Sequence, residues 1–257
     1  MSALRPATDV LRCWVYSPLC AINSLRVDGV YRTDRRTRTD ELERLMNEPK
    51  RVDVWYSLQS DYCYFLIDRL LRLSAVNVNV VLRPVLGIVL RMPEATANRS
   101  ELEQRYFVTD TQRTAEYLGL LHRYPDPSPI LFEPGLWVAC KEQPHVQRLY
   151  RLFVGANRQG KGLEYLDRVV RHFWDGSQPG WDKSNFLADA LAEIGLSHDR
   201  LLDDYRWSDV EPELSANHDA MMEAGHWGVP LMVYQGEPFY GQDRFDQLLW
   251  RMGVTLR

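Results

Sequence analysis

The sequence lacks the cysteine and histidine spacings that mark metal centres and disulfide frameworks. Its 257 residues contain four cysteines, Cys13, Cys20, Cys63 and Cys140, with neither a CxxC pair nor a CxxH spacing. The histidines are scattered without an HxH or HExxH spacing. We therefore predict no metal site, no disulfide framework and no serine-hydrolase triad.

A long hydrophobic run is also missing. The most apolar early stretch, from Cys13 to Ile22, covers about ten residues and is interrupted by Ser17-Pro18, whereas a membrane helix needs about 20. A signal peptide is the alternative for this stretch, but its basic start is weak and no clear small-residue cleavage site follows. We expect a cytoplasmic protein without a membrane partner.

Positive charge is not in excess either. Lysine and arginine total 31 against 35 acidic residues, a net charge of −4 with a pI of about 5.9, so no basic field favours nucleic acid or anionic lipid. The composition, 45% hydrophobic and 26% charged, is that of an ordinary soluble protein. Nucleic acid is therefore not an expected partner.

The first fifty residues form an accessory segment. Its polar end, from Tyr31 to Lys50, is rich in arginine and contains one short predicted helix, Asp40 to Asn47. A basic run of this size is usually a solvated face, and no function is assigned to it.

The pattern changes at residue 51 to a strand, a helix and a second strand. Val52 to Tyr56 is β-prone, Tyr62 to Leu73 has helical periodicity, and Asn77 to Arg83 is rich in valine. At 100° per residue Asp61 falls on the polar side of this helix and Cys63 on the apolar side, so Cys63 is expected to point inward. A βαβ unit of this kind implies parallel pairing of its strands.

Helical periodicities then dominate from about Gly87 to Asp204, an insertion that we place at about 88–205. The chain ends in a helix, two strands and a helix: Glu213 to Glu223, Pro230 to Tyr234, Pro238 to Tyr240, and Asp243 to Met252. A βαβ half and a ββα half sharing one sheet are the parts of a thioredoxin fold. We therefore predict an α/β, thioredoxin-like domain over residues 51–257 with a helical insertion.

Four motifs carry a family resemblance: Trp55 to Tyr64, Arg83 to Gly87, Gly228 to Pro230, and Phe239 to Arg244. Together they resemble the 2-hydroxychromene-2-carboxylate isomerase family, which belongs with class kappa glutathione transferases to the DsbA-like thioredoxin superfamily. The resemblance covers roughly residues 51–253. It implies an enzyme that uses glutathione as a thiol cofactor, and many relatives are dimers, so we expect a homodimer.

The resemblance also implies roles for individual residues. Ser60 stands where DsbA-like oxidoreductases have their nucleophilic cysteine, and in the relatives a serine there hydrogen-bonds the glutathione thiol. Val229-Pro230 matches a cis peptide at which the cysteinyl unit docks, and Gln242 and Asp243 match the site of the γ-glutamyl group. His226 lies just before that proline turn.

Local chemistry offers simpler alternatives for the same residues. Ser60 lies where a strand gives way to a helix, so it can be an N-cap, and Asp243 can be an acidic residue in a first helical turn. Cys63 occupies the second position of a thioredoxin-type CxxC whose first position is serine, so the dithiol cycle is lost. Cys63 is then either a buried apolar side chain or a monothiol redox group.

Two departures from the family bear on the chemistry. The relatives carry a Gly-Asn pair on the substrate side of the pocket, where this chain continues as Arg91-Met92-Pro93. Asp61 replaces the usual proline after the serine, and its negative charge would oppose formation of a thiolate nearby.

We therefore predict a glutathione-dependent isomerase or transferase for an aromatic or other electrophilic small molecule, with Ser60 activating the thiol. The alternatives are a thiol-disulfide oxidoreductase that acts through Cys63, and a non-catalytic relative that binds a partner in the same groove.

Overall fold

The structure of the protein is a computed structural model, which describes residues 49–97, 99–134 and 138–256. The expected helix from Asp40 to Asn47 lies outside these residues. In the described ranges, no helix is both long enough and apolar enough to cross a membrane.

A four-stranded mixed sheet forms the centre. Its strands are β1 (Lys50–Tyr56), β2 (Val78–Pro84), β3 (Leu231–Tyr234) and β4 (Glu237–Tyr240), in the order β2-β1-β3-β4. β1 and β2 are parallel, as the βαβ pattern predicts, and β3 is antiparallel to both β1 and β4. The hairpin turns at Gln235-Gly236, where both residues have positive φ angles of 51° and 83°. Two such residues in succession are typical of the tight turns that join twisted strands.

The helices surround this sheet, and most of them lie between β2 and β3. They are α1 (Asp61–Tyr64), α2 (Ile67–Ala75), α3 (Ile88–Arg91), α4 (Glu94–Ala97), α5 (Glu101–Leu118), α6 (Pro144–Arg158), α7 (Gly162–Tyr165), α8 (Arg171–Trp174), α9 (Phe186–Glu193), α10 (His198–Asp204), α11 (Trp207–Glu223) and α12 (Phe245–Met252), with a π-helical turn at Leu166–Val170 and a 3₁₀ turn at Gln242–Arg244. This arrangement confirms the thioredoxin-like fold with a helical insertion.

Alternation along β1 explains why helices cover both faces of the sheet. Val54 and Tyr56 face a large core shared with α2, α6 and α12. Trp55 points the other way, where it packs with Leu231 against Met221 of α11. Since successive side chains of a strand alternate between faces, one short strand supplies both cores.

The helix expected from Tyr62 to Leu73 is in fact two helices, α1 and α2, separated at Phe65 and Leu66. Five consecutive residues here, 63 to 67, are buried. At 100° per residue they point in every direction, so this stretch is enclosed by the helical insertion instead of resting on the sheet by one face. The periodicity argument assumed a single apolar face and missed the break.

Two other helix boundaries differ from the sequence prediction. α11 begins at Trp207 and runs through Pro212, whereas we placed its start after this proline. The last helix begins at Phe245, because the preceding Gln242–Arg244 forms a separate 3₁₀ turn. Gly253 ends α12 with a left-handed conformation, as the sequence suggests.

Candidate functional site

Three loops meet at one end of the sheet. Trp55 of β1 pairs with Leu231 of β3, and Leu231 pairs with Tyr240 of β4. The end of β1, the start of β3 and the end of β4 therefore lie side by side. The loops attached to these ends carry Ser60, Val229-Pro230 and Gln242-Asp243. The fold therefore brings the residues named from the sequence to the same end of the sheet, which we call the sheet edge.

Ser60 is the N-cap of α1. Its backbone is extended, with φ −123° and ψ 120°, and its hydroxyl oxygen accepts a hydrogen bond from the backbone N–H of Cys63 at 3.4 Å. The capping interpretation is thereby confirmed. Because α1 is only four residues long, its dipole is smaller than that of the longer helix that the sequence predicted. A thiol bound at Ser60 would therefore be affected mainly by the hydroxyl itself.

Cys63 lies directly beneath Ser60 and is fully buried. Burial raises the pKa of its thiol to about 12, although hydrogen bonds from the Ser57 backbone N–H and the Ser60 hydroxyl act in the opposite direction. The Ser57 N–H lies 3.4 Å from Sγ. At pH 7 the Cys63 side chain is therefore a neutral thiol. This environment is that of a structural cysteine.

The burial of Cys63 predicts that it will not react with thiol reagents in the folded protein. We expect Cys63→Ala to leave the rapid reaction with Ellman's reagent at pH 7.5 unchanged, because neither access nor thiolate is available. Cys140, which is partly exposed, is the matched position, and Cys140→Ala should remove a rapidly reacting thiol. Loss of a rapid phase in Cys63→Ala would instead support the monothiol hypothesis.

Asp61 is not on a solvated face, as the helix projection had suggested, but is buried and paired with a histidine. Its Oδ2 atom lies 3.2 Å from Nε2 of His122, and the two side chains are 5% and 4% exposed. The atoms are within ion-pair distance but are not aligned for a hydrogen bond. His122 stacks on Trp174 at 5.9 Å and on Tyr64 at 6.3 Å. The Asp61 carboxylate adds to the rise in the pKa of Cys63, in the direction that we expected from its charge.

The Val229-Pro230 peptide bond is cis. The carbonyl of Pro230 accepts a hydrogen bond from the backbone N–H of Gly241 at 2.9 Å, which joins the second and third loops. In the described part of the chain, the backbone N–H and carbonyl of Val229 have no hydrogen-bond partner. Because unpaired main-chain groups are good hydrogen-bonding groups for an extended peptide, Val229 is free to pair with one.

Gln242 and Asp243 lie in the 3₁₀ turn that follows β4. Arg69 of α2 donates to the backbone carbonyl of Gln242 at 2.7 Å and to its side-chain oxygen at 2.8 Å, which leaves the amide NH₂ group pointing away. The Asp243 carboxylate pairs with the neighbouring Arg244 at 2.7 Å and is 60% exposed. Arg244 would therefore compete with any ligand ammonium for this carboxylate.

An aromatic group beside the proline loop was not identified from the sequence, except that His226 was noted for its position. The rings of His226 and Tyr240 stack with 3.7 Å between centroids, and Trp227 lies against both. Gly228 permits this stack, because a Cβ there would come within 2.3 Å of the Tyr240 ring. Trp227 and Tyr240 are partly exposed, so the stack offers an aromatic surface at the site.

A buried polar network under the site was also missed. The Tyr150 hydroxyl from α6 lies 2.8 Å from the side-chain oxygen of Gln59 and 3.3 Å from Ser57 Oγ. The same Gln59 oxygen accepts the backbone N–H of Gly87 at 3.0 Å. Tyr150 is some ninety residues from these partners, so no local pattern could have revealed the network. It holds the loop that precedes Ser60.

No cluster of three His, Cys, Asp or Glu side chains in the described ranges is placed to bind a metal ion.

Comparisons with known proteins identify the fold independently. The model of the DSBA-like thioredoxin domain matches residues 51–253. No curated protein matches the chain by sequence.

Solved structures show the same fold at low identity. The structure of 2-hydroxychromene-2-carboxylate isomerase is 19% identical with a TM-score of 0.56, covering 79% of this chain and 94% of that one. A probable DsbA oxidoreductase from Streptomyces coelicolor is 18% identical with a TM-score of 0.56, covering 81% and 92%. The cytosolic disulfide reductase DsbM from Pseudomonas aeruginosa is 14% identical with a TM-score of 0.50, covering 79% and 98%.

Proposed function

The chain belongs to the DsbA-like thioredoxin domain family, and on this premise we propose that it binds glutathione at Ser60 and uses the thiol to isomerise or conjugate an aromatic or other electrophilic small molecule. One observation carries the proposal. A partly exposed serine stands at the helix entrance, whereas Cys63, one turn further on, is fully buried with its pKa raised to about 12. A site with this pair needs a thiol from outside the chain.

The groups at the sheet edge fit the parts of glutathione. The Ser60 hydroxyl can donate to a sulfur, and the free backbone groups of Val229 match those of a cysteinyl unit. The Gln242 amide NH₂ and the Asp243 carboxylate match the charged end of a γ-glutamyl unit. Donors and acceptors of the right kind are thus present for each part.

When bound, glutathione would supply a soft nucleophilic sulfur. Ser60 would hold and orient this sulfur and stabilise its negative charge by donating a hydrogen bond. The exposed rings of Tyr240 and Trp227 would face an aromatic substrate at the same edge, where stacking favours planar, apolar molecules. A cytoplasmic location and a homodimer are part of the same proposal.

Replacing Asp243 by alanine should weaken glutathione binding about fivefold. The carboxylate would lose its pairing with the ligand ammonium, and its exposure keeps the effect near 1 kcal/mol. The matched control is Arg244→Ala, which removes the competing guanidinium and should leave binding equal or tighter. Isothermal titration calorimetry measures both, and an unchanged dissociation constant for Asp243→Ala would reduce Asp243 to a turn residue.

The central test is a calorimetric titration of the wild type with glutathione and with S-methylglutathione. We expect glutathione to bind and S-methylglutathione, which has no thiol proton and a bulkier sulfur, to bind more weakly. Absence of binding to either compound would favour the non-catalytic relative that binds a partner. Disulfide reductase activity that depends on Cys63 would favour the oxidoreductase alternative.

A further inference from the structure

Arg91, the last residue of α3, connects two of the site's neighbouring loops. Its Nε donates to the backbone carbonyl of Leu86 at 3.0 Å, and its Nη2 donates to the carbonyl of Trp227 at 2.6 Å. Leu86 precedes Gly87, whose N–H holds Gln59 next to Ser60. Trp227 lies two residues before Val229. The guanidinium is therefore held between the segments that position Ser60 and the proline loop.

The charge of Arg91 has no carboxylate partner among the described residues. Its remaining contacts are Nδ1 of His218 at 3.4 Å and the sulfur of Met92 at 3.6 Å. Burial and the charge of Arg91 both lower the pKa of His218, so this imidazole is a neutral acceptor at pH 7. By contrast, Arg83 pairs with Asp53, and Arg171 pairs with Asp68. Arg91 thus remains an uncompensated, partly buried positive charge.

The field of this charge reaches the site. Burial raises the pKa values of Cys63 and Tyr150. The positive charge of Arg91 acts against that rise at both groups, whereas the Asp61 carboxylate adds to it at Cys63. Cys63 is hydrogen-bonded to Ser60 through its backbone N–H. An anion held at the Ser60 hydroxyl would therefore lie in the same field, in a region where partial burial weakens screening by water.

We propose that Arg91 supplies the positive charge that stabilises a thiolate at Ser60, which makes the site selective for the anionic form of its thiol. The inference rests on the proposed function. Arg91 is a positioning residue whose charge stabilises the thiolate without touching it. The thiol proton leaves to water. The Asp61 carboxylate acts in the opposite direction, since it adds to the rise in the pKa of Cys63, so the charge of Arg91 must outweigh it.

Titration of bound glutathione by thiolate absorbance at 240 nm tests the role directly. We expect Arg91→Gln, which keeps side-chain donors for the two carbonyls but has no charge, to raise the pH midpoint of thiolate formation by about one to two units. Arg91→Lys should restore most of the shift, because a charge without the guanidinium geometry suffices. Arg158→Gln is the matched control, since Arg158 pairs with Glu213 away from the site.

The outcomes separate the two proposals. If the wild type does not bind glutathione, the proposed function and this inference both fail. If the wild type binds glutathione and Arg91→Gln titrates at the same pH, only the role of Arg91 fails. If Arg91→Gln does not fold, Arg91→Met, which is uncharged and of similar length, replaces it: a midpoint raised by about one to two units supports the role of the charge, and an unchanged midpoint contradicts it.

Discussion

Replacing Ser60 by alanine should reduce glutathione-dependent turnover by roughly 10²-fold, the size of effect expected when one donor to a developing or bound anion is removed. The hydroxyl at this position caps α1 and is the donor that we propose for the glutathione sulfur. The loss should appear in kcat/KM measured with an electrophilic aromatic test substrate, at a pH held constant between variants.

Two controls separate the hydroxyl chemistry from helix capping. Ser60→Thr keeps both the cap and the donor, so most of the activity should remain. Cys63→Ala should lower the free energy of unfolding by opening a small cavity, with much less effect on turnover. If Cys63→Ala abolishes activity and Ser60→Ala does not, the roles that we assign to the two residues are reversed.

Replacing His122 by alanine should cost about 3–5 kcal/mol of folding stability. The change would remove a buried ring that stacks on Trp174 and Tyr64 and would leave a cavity beside the buried Asp61 carboxylate, which keeps its hydrogen bond with Tyr124. Urea denaturation followed by far-UV circular dichroism measures the effect. No other single change discussed for this chain should destabilise it as much.

The double variant tests whether Asp61 contributes to this loss. In the His122→Ala background, Asp61→Asn removes the buried carboxylate charge and should recover part of the lost stability. Equal losses in the single and double variants would show that His122 acts by packing alone. A loss below about 1 kcal/mol for His122→Ala would contradict a stabilising role for the buried ring.

The strands and the parallel pairing of the first two were largely predictable from local signals. Three signals depend only on residues close together in the chain: the alternation in Val52 to Tyr56, the valine-rich second strand and the Gln235-Gly236 turn. The break between α1 and α2 could not be predicted in this way. Residues 63 to 67 are enclosed on all sides, and the break depends on which residues of the helical insertion pack against them. Hydrophobic periodicity along the chain carries no information about those distant residues.

The sequence by itself determined the thioredoxin-like architecture, the capping serine and the set of residues that face one sheet edge, because strand and turn patterns are local and the motifs are contiguous. Only the tertiary structure decided the electrostatics of that edge. Asp61 meets His122, and Arg91 meets the carbonyl of Trp227 and no carboxylate in the described chain, across separations of 61 and 136 residues. Whether a charge is paired, buried or free depends on which distant segment packs beside it, and no spacing in the sequence encodes that contact.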